Sequence, residues 1–323
     1  MRYLLLTLDA FGTLFHPRIP IAAQYIQAAH SLGFLTPSPH RRGDNLLMPE
    51  RFQRAFGEAF RAEATARPNY GRWEPGFGGP RLWWANVIRG CFERVVGRAG
   101  EGGGAEVALP PELVPTLLER FSSRQGYALF EDVGPFLREL RALEGTSFDD
   151  VVVGVVSNSD DRVPGVLRSL GLKVGSVRAD QPGRLPAEGF ERLQERREEG
   201  QWGDNDIDFV ITSYEVGEEK PRRMIFDVAE RQGKKCFATP RRERPGRSLD
   251  AANNESWVLV HVGDDIEEDY KGAVGAGWIS FLLTRQGDAG LAKHTITAHD
   301  GGDGGNVRRI RSLLELTPEL KSL

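Results

Sequence analysis

The sequence predicts an α/β fold of three layers: a parallel sheet covered by helices on both faces, with a helical segment inserted after the first strand. Three observations carry this expectation. The strand candidates are apolar from end to end instead of alternating, as strands buried on both faces are. From residue 128 onward they alternate with helical stretches, the pattern of a parallel sheet built from strand–helix units. Between the first strand and that region, residues 17–127 show helical periodicity and no strand-like alternation.

Residues 3–8 form the first strand, which ends in a single carboxylate, Asp9, followed by Gly12-Thr13. A lone carboxylate at the end of a buried strand is costly unless something pairs with it. In the inserted segment, Phe52, Phe56 and Phe60 recur four apart on one helix face. "RLWWANVIRGCFERVV" carries a stripe of Leu82, Trp83, Val87, Ile88, Cys91, Phe92, Val95 and Val96. "PPELVPTLLERFSS" opens on prolines suited to a first helical turn and continues with Leu113, Leu117, Leu118 and Phe121. The Gly- and Pro-rich stretches "RPNYGRWEPGFGGP" and "GRAGEGGGAE" read as loops between them. Trp83 and Trp84 are consecutive and cannot share a helix face, so one belongs to the core and the other to a crevice or a partner. Arg72 and Trp73 are either substrate-selecting or plain surface residues.

"VGPFLRELRALEG" reads as a helix, "DDVVVGVVSNSDD" as a strand, and "RVPGVLRSLGL" as a helix closed by Gly171. "IDFVITSYE" is a strand and "PRRMIFDVAERQG" a helix closed by Gly233. "SWVLVHVGDD", "IEEDYKGAVGAG" and "WISFLLT" continue as strand, helix and strand, and residues 307–316 form a last helix. The polar stretches 181–206 and 239–256 read as loops, and "HDGGDGGN" as a link. The expected division is a sheet-bearing unit of residues 1–16 plus 128–323 and a helical unit of residues 17–127.

Composition excludes several function classes. A net charge of -4 over 323 residues gives no pull toward nucleic acid or membrane. No apolar run reaches the ~18 residues of a membrane helix. Two cysteines, Cys91 and Cys236, make neither a disulfide framework nor a metal spacing. The expectation is a soluble protein of the cytoplasm or nucleus, a monomer or homodimer, that acts on a small molecule. "RRERPGR" reads as a solvated loop.

Four strand ends carry polar clusters: Asp9 with Thr13, Ser157 with Asn158, the loop running to Lys220, and Asp264 with Asp265. In an open parallel sheet these ends face one crevice, the usual ligand site. The residue types suit an electrophile bearing negative charge. Asp9 offers a carboxylate nucleophile. Ser157 offers a hydroxyl, with backbone N–H groups behind it, for oxyanions. Lys220 offers positive charge that keeps Asp9 ionised. Asp264 and Asp265 would repel Asp9 unless a hard cation such as Mg²⁺ lay between them.

"LDAFGTLF", "VVSNSD", "EEKPRRMIF" and "HVGDDIEEDYKGAVGAG" resemble, in order, the four motifs of the haloacid dehalogenase-like hydrolase superfamily. The likeness covers 1–16 and roughly 128–290, and the helical insertion resembles that superfamily's cap. "GGPRLWW" further resembles the subgroup around haloacid dehalogenase-like hydrolase domain-containing protein 3. The resemblance implies a Rossmann-like core with an inserted cap that sets specificity. It implies Asp9 as nucleophile and metal ligand, and the Phe11 backbone carbonyl as a second ligand. Thr13, Ser157, Asn158 and Lys220 would hold the transferring group, and Asp264 would bind Mg²⁺ with Asp265 or Asp269 in support.

One departure matters. Most phosphatases of that superfamily read Asp-x-Asp-Gly-Thr, with the second Asp as general acid/base; that position is Phe11 here. Losing general acid catalysis costs roughly 10²- to 10⁴-fold. The 2-haloacid dehalogenases carry an aromatic there and use no metal, but their fourth motif differs from the Gly263-Asp264-Asp265 of this chain, and the tyrosine they place six residues after the lysine is Phe226. Three readings stand: a Mg²⁺-dependent phosphatase, favoured by the fourth motif; a 2-haloacid dehalogenase; or a catalytically degenerate binding protein. His16 is a candidate proton relay, and His261 reads as a packed strand residue.

Overall fold

The computed structural model describes residues 1–35, 48–97, 108–179, 205–238, 256–285 and 307–323. Residues 181–204 and 239–255 of the loops expected over 181–206 and 239–256, the stretch 98–106 and the link 299–306 lie outside these residues. The chain divides into two compact units, one of Met1–His16 with the described residues from Leu129 on, the other of Pro17–Ala128.

The strands are β1 (Arg2–Leu8), β2 (Phe15–Pro17), β3 (Tyr127–Leu129), β4 (Asp150–Ser157), β5 (Val174–Val177), β6 (Ile207–Thr212), β7 (Ser256–Gly263), β8 (Ile279–Leu283) and β9 (Arg309–Ile310). Seven of them form a sheet in the order β5-β6-β4-β1-β7-β8-β9, and every pairing is parallel. Burial explains the apolar runs. Leu4, Leu5, Leu6 and Leu8 of β1 and Val151–Val156 of β4 are buried whichever face they point to. The register brings the strand ends to one edge: Leu8 pairs with Val155 on one side and Val262 on the other, and Ser157 pairs with Thr212. Strand order reverses around β1, so that edge is the expected ligand crevice.

The second unit is helical: α1 (Ile21–Ser31), α2 (Pro49–Ala66), α3 (Pro68–Gly71, a turn in which Asn69 and Tyr70 take positive φ), α4 (Gly79–Gly97) and α5 (Leu113–Arg120). The apolar stripe of α4 is its core, with Trp83, Val87, Ile88, Cys91, Phe92 and Val95 buried. Tyr25 stacks on Phe92 and Phe52 meets it edge-on. Of the consecutive tryptophans, Trp83 is the core residue and donates its indole N–H to the Arg67 carbonyl, while Trp84 is half-buried. Both cysteines are free and buried, and burial pushes each thiol up to about 12. These are packing residues and not nucleophiles at neutral pH.

The sheet-bearing unit adds α6 (Val133–Arg141), α7 (Val163–Ser169), α8 (Ser213–Val216), α9 (Arg223–Ala238), α10 (Gly272–Gly275) and α11 (Leu316–Ser322). Three sequence expectations need correction. Gly233 does not close its helix; α9 runs on to Ala238. A Cβ at Gly233 would press on Leu5 and Phe209, so this glycine lets the helix lie close against the sheet. The last helix does not begin at 307: Arg309–Ile310 pairs with β8 as an edge strand, and Ser312 then caps a short 3₁₀ turn leading into α11. The stretch after β7 is a π-helical turn, Ile266–Lys271, before α10. Among the described residues no helix is long and apolar enough to cross a membrane.

Candidate active site

Lys220 lies at the centre of the site. Its side chain is almost wholly buried, and its ammonium donates to Asp9 Oδ1 (2.7 Å), the Val156 carbonyl (2.9 Å) and Asp269 Oδ1 (2.5 Å). All three donors are therefore engaged inside the protein. Burial disfavours the ammonium, yet the charges of Asp269 and Asp9 outweigh it and hold Lys220 above the usual lysine range. Asp9 itself is fixed by its backbone N–H, which donates to the Val262 carbonyl at 2.9 Å. The lysine is thus the partner that the isolated strand-end carboxylate requires.

The lysine loop is held by Asn158. Its Oδ1 accepts from the Lys220 N–H (2.6 Å) and its Nδ2 donates to the Lys220 carbonyl (2.9 Å), so the amide imitates a strand partner. Nδ2 also donates to Glu268 Oε2 at 2.9 Å. Asn158 therefore braces Lys220. Asn158→Ala removes these bonds and is expected to lower stability by about 1–3 kcal/mol. Urea unfolding measures that loss, and turnover should fall with it because the Lys220–Asp9 contact loosens.

The acidic turn after β7 divides its labour. Asp265 caps the turn, its Oδ1 accepting from the Glu267 and Glu268 N–H groups at 2.8 Å each. Asp264 and Asp269 join Asp9 instead, and one carboxylate oxygen from each of the three lies within 4.8 Å of the others. Burial, then the charges of Asp9 and Asp269, push the Asp264 carboxyl up to about 8. Burial also acts to raise Asp269, but Lys220, aided by His261, holds it below the usual carboxylate range.

Gly12 and Thr13 close the other side. Gly12 takes φ +76°, and a Cβ there would fall on the Asp264 carboxylate, so only glycine admits this approach. The Thr13 hydroxyl is buried with no hydrogen-bond partner among the described residues. Such an orphan in a native core calls for an explanation, a ligand oxygen among them. The Thr13 carbonyl is held by Arg285 (2.8 Å), which also pairs with Asp132 (2.9 Å) and stacks on Phe130.

The structure brings together Asp9, Thr13, Lys220, Asp264 and Asp269. Ser157 is buried at the end of β4, next to Asn158. Phe11 packs its ring edge-on against Phe15, at 4.6 Å between centroids, and His16 rests on Phe130. Sequence reasoning missed Arg285, Glu268 and the contacts of His261. Arg285 belongs to no motif, and Glu268, though within the fourth motif stretch, lies 110 residues from the Asn158 amide it accepts from, so no local signal marks either contact.

The donor set suits a hard divalent cation. It is all oxygen, it contains a carboxyl driven up by its acidic neighbours, and it lies in a cradle that a Cβ would fill.

No family model matches the chain. It is 25% identical over 278 residues to haloacid dehalogenase-like hydrolase domain-containing protein 3 of Danio rerio, covering 86% of this chain and 84% of that one. The Homo sapiens protein of the same name is 26% identical over 279 residues, covering 86% and 81%. Among solved structures, a 2-haloacid dehalogenase from Pseudomonas syringae pv. Tomato DC3000 shares the fold, with a TM-score of 0.51 at 18% identity over 100% of this chain and 99% of that one.

Proposed function

We propose, given that the chain belongs to the haloacid dehalogenase-like hydrolase superfamily, that it is a Mg²⁺-dependent phosphatase using Asp9 as nucleophile on a small phosphorylated molecule. One observation carries this reading: Asp9, Asp264 and Asp269 converge while a single buried ammonium bonds both Asp9 and Asp269. That is an acidic pocket with its nucleophile held in place and a position for a cation. Asp9, Asp264 and Asp269 would hold the ion, with the Phe11 carbonyl as a further ligand. Mg²⁺, when bound, offsets the negative charge of the phosphoryl group as it approaches three carboxylates.

The chain's own residues do the rest. A carboxylate oxygen of Asp9 attacks phosphorus, and the leaving oxygen departs with the bond pair. Water then attacks phosphorus, releasing inorganic phosphate and restoring the Asp9 carboxylate. Lys220 holds Asp9 oriented through both steps. Thr13 Oγ1 and Ser157 Oγ supply hydroxyls to the phosphoryl oxygens. With its three donors engaged, Lys220 acts through Asp9.

Phe11 cannot donate a proton, so the leaving group must depart unaided. The rate is expected to fall steeply as the leaving group becomes more basic, and aryl or acyl phosphates should outrun alkyl phosphates. Phe11→Asp should raise the rate on alkyl phosphates by roughly 10²- to 10⁴-fold and change the aryl rate little. A series of esters read by phosphate release tests this.

Cation binding should also be linked to pH. Without a cation the folded protein holds a proton on Asp264 up to about 8, whereas the unfolded chain loses it near 3.8. This group therefore contributes stability that is present at acid pH and is lost as pH rises through about 8. Mg²⁺ should displace that proton, so affinity rises from pH 6 to 8 with release of about one proton. Calorimetric titration in buffers of different ionisation enthalpy measures it.

The test of function is hydrolysis of p-nitrophenyl phosphate with Mg²⁺ or with EDTA. Turnover that requires Mg²⁺ supports the phosphatase; none in either condition overturns it. Phe11 favours a second reading, halide displacement from a 2-haloacid by the same Asp9, for which release of chloride from 2-chloropropionate without metal is the corresponding assay.

A further inference from the structure

Behind the carboxylate cluster lies a buried polar chain that the reaction above does not use. Thr7 and His261 face each other across the β1–β7 pairing, and both are wholly buried. The Thr7 hydroxyl lies 2.8 Å from His261 Nδ1, and His261 Nε2 lies 3.1 Å from Asp269 Oδ1.

The proton positions follow from chemistry. The Asp269 carboxylate accepts from the Lys220 ammonium and the Asp265 N–H, so Nε2, which faces the same carboxylate, carries the hydrogen. Nδ1 is then a lone pair and must accept. Thr7 has one hydroxyl hydrogen, which goes to Nδ1 at 2.8 Å in preference to the Val260 carbonyl at 3.4 Å. The ring is packed by Phe226 of α9, edge-on at 5.3 Å.

Asp269 thereby receives three donors from three places. Lys220 and His261 reach Oδ1, and the Asp265 N–H reaches Oδ2 at 3.0 Å. An apolar side chain in place of His261 would free the carboxylate to rotate.

We infer that His261 is a positioning residue: its imidazole, donating from Nε2 to Asp269 and accepting from Thr7 at Nδ1, orients the Asp269 carboxylate and so sets how tightly Asp9, Asp264 and Asp269 hold a divalent cation. The inference rests on the cation reading above. Removing such an outer partner costs on the order of 10- to 100-fold in metal affinity.

The experiment compares His261→Gln with His261→Asn, using Mn²⁺ as the probe and the spin-resonance signal of free Mn²⁺ as the readout. The Gln amide nitrogen can occupy the Nε2 position; the Asn amide is too short to reach Asp269. His261→Asn is expected to bind Mn²⁺ at least tenfold more weakly than wild type, with His261→Gln within about threefold. A role in packing alone would destabilise both variants while leaving their Mn²⁺ affinities equal to wild type, and that result overturns the inference. Nitrogen-15 spectra of the metal-free wild type should show protonated Nε2 and bare Nδ1; a protonated Nδ1 overturns it even where a variant fails to fold. Absence of Mn²⁺ binding by wild type would instead overturn the cation reading, and the tautomer would then be judged by the spectrum alone.

Discussion

Asp9→Asn is expected to lower hydrolysis of p-nitrophenyl phosphate by on the order of 10⁴-fold or more. The amide keeps the shape of the carboxylate and can still accept from Lys220, so the loop geometry survives. What is lost is the oxygen that attacks. The substitution has a second signature. The Asp9 charge is a principal cause, after burial, of the raised Asp264 carboxyl. With that charge gone, Asp264 should titrate closer to its ordinary range, and the metal-free variant should be at least as stable as wild type at neutral pH. Loss of turnover with retained or increased stability is the expected pair of results, read by phosphate release and thermal unfolding. It is the trade expected where a site holds like charges together for function.

Lys220→Met is expected to inactivate the protein and to destabilise it by about 3–5 kcal/mol, because it leaves buried carboxylates with no cation between them. Of a typical total of about 5–15 kcal/mol, this is a large part. The sign of the pH dependence follows. Lys220 is what holds Asp269 below the usual range against its burial. In wild type, Asp269 contributes stability above the unfolded carboxylate range that is lost as pH falls through the folded value. Without Lys220 the carboxyl is driven upward, so the variant's deficit should be largest at neutral pH and shrink as pH falls toward 4. Mg²⁺ should restore part of the neutral loss, whereas a variant that had merely lost packing would respond to neither acid nor metal. Chemical unfolding at pH 4 and pH 7, with and without Mg²⁺, measures both effects.

Much of this architecture was legible in the residues, and the exceptions have physical reasons. The central strands β1, β4 and β7 betray themselves as apolar runs because both of their faces are covered. The edge strands do not: Val174–Val177 and Arg309–Ile310 are too short for a period to form. Gly233 reads as a helix stop because glycine commonly ends helices, but close approach to Leu5 and Phe209 decides its role. In the site, residue types at strand ends pointed to Asp9, Thr13, Lys220 and Asp264. What they could not show was how the acids divide. Asp265 turns back to cap its own turn, while Asp269, one helical turn further on, faces the lysine. Asn158 reads as a group that holds the transferring group, and in the structure its amide pairs with the Lys220 backbone. His261 read as a packed strand residue. It is packed, but its partners Thr7 and Asp269 are fixed by strand register and by the path of the following turn, which no local pattern encodes.

The most direct measurement follows the solvent oxygen. The protein is turned over in H₂¹⁸O on p-nitrophenyl phosphate, and separately on 2-chloropropionate, and the peptide containing Asp9 is weighed by mass spectrometry beside the product. Phosphoryl transfer to Asp9 places water's attack on phosphorus, so the label should appear in inorganic phosphate and none in Asp9. Label accumulating in the Asp9 carboxylate, with chloride released, would mean that water attacks the carboxyl carbon of an alkyl ester and would contradict the phosphatase.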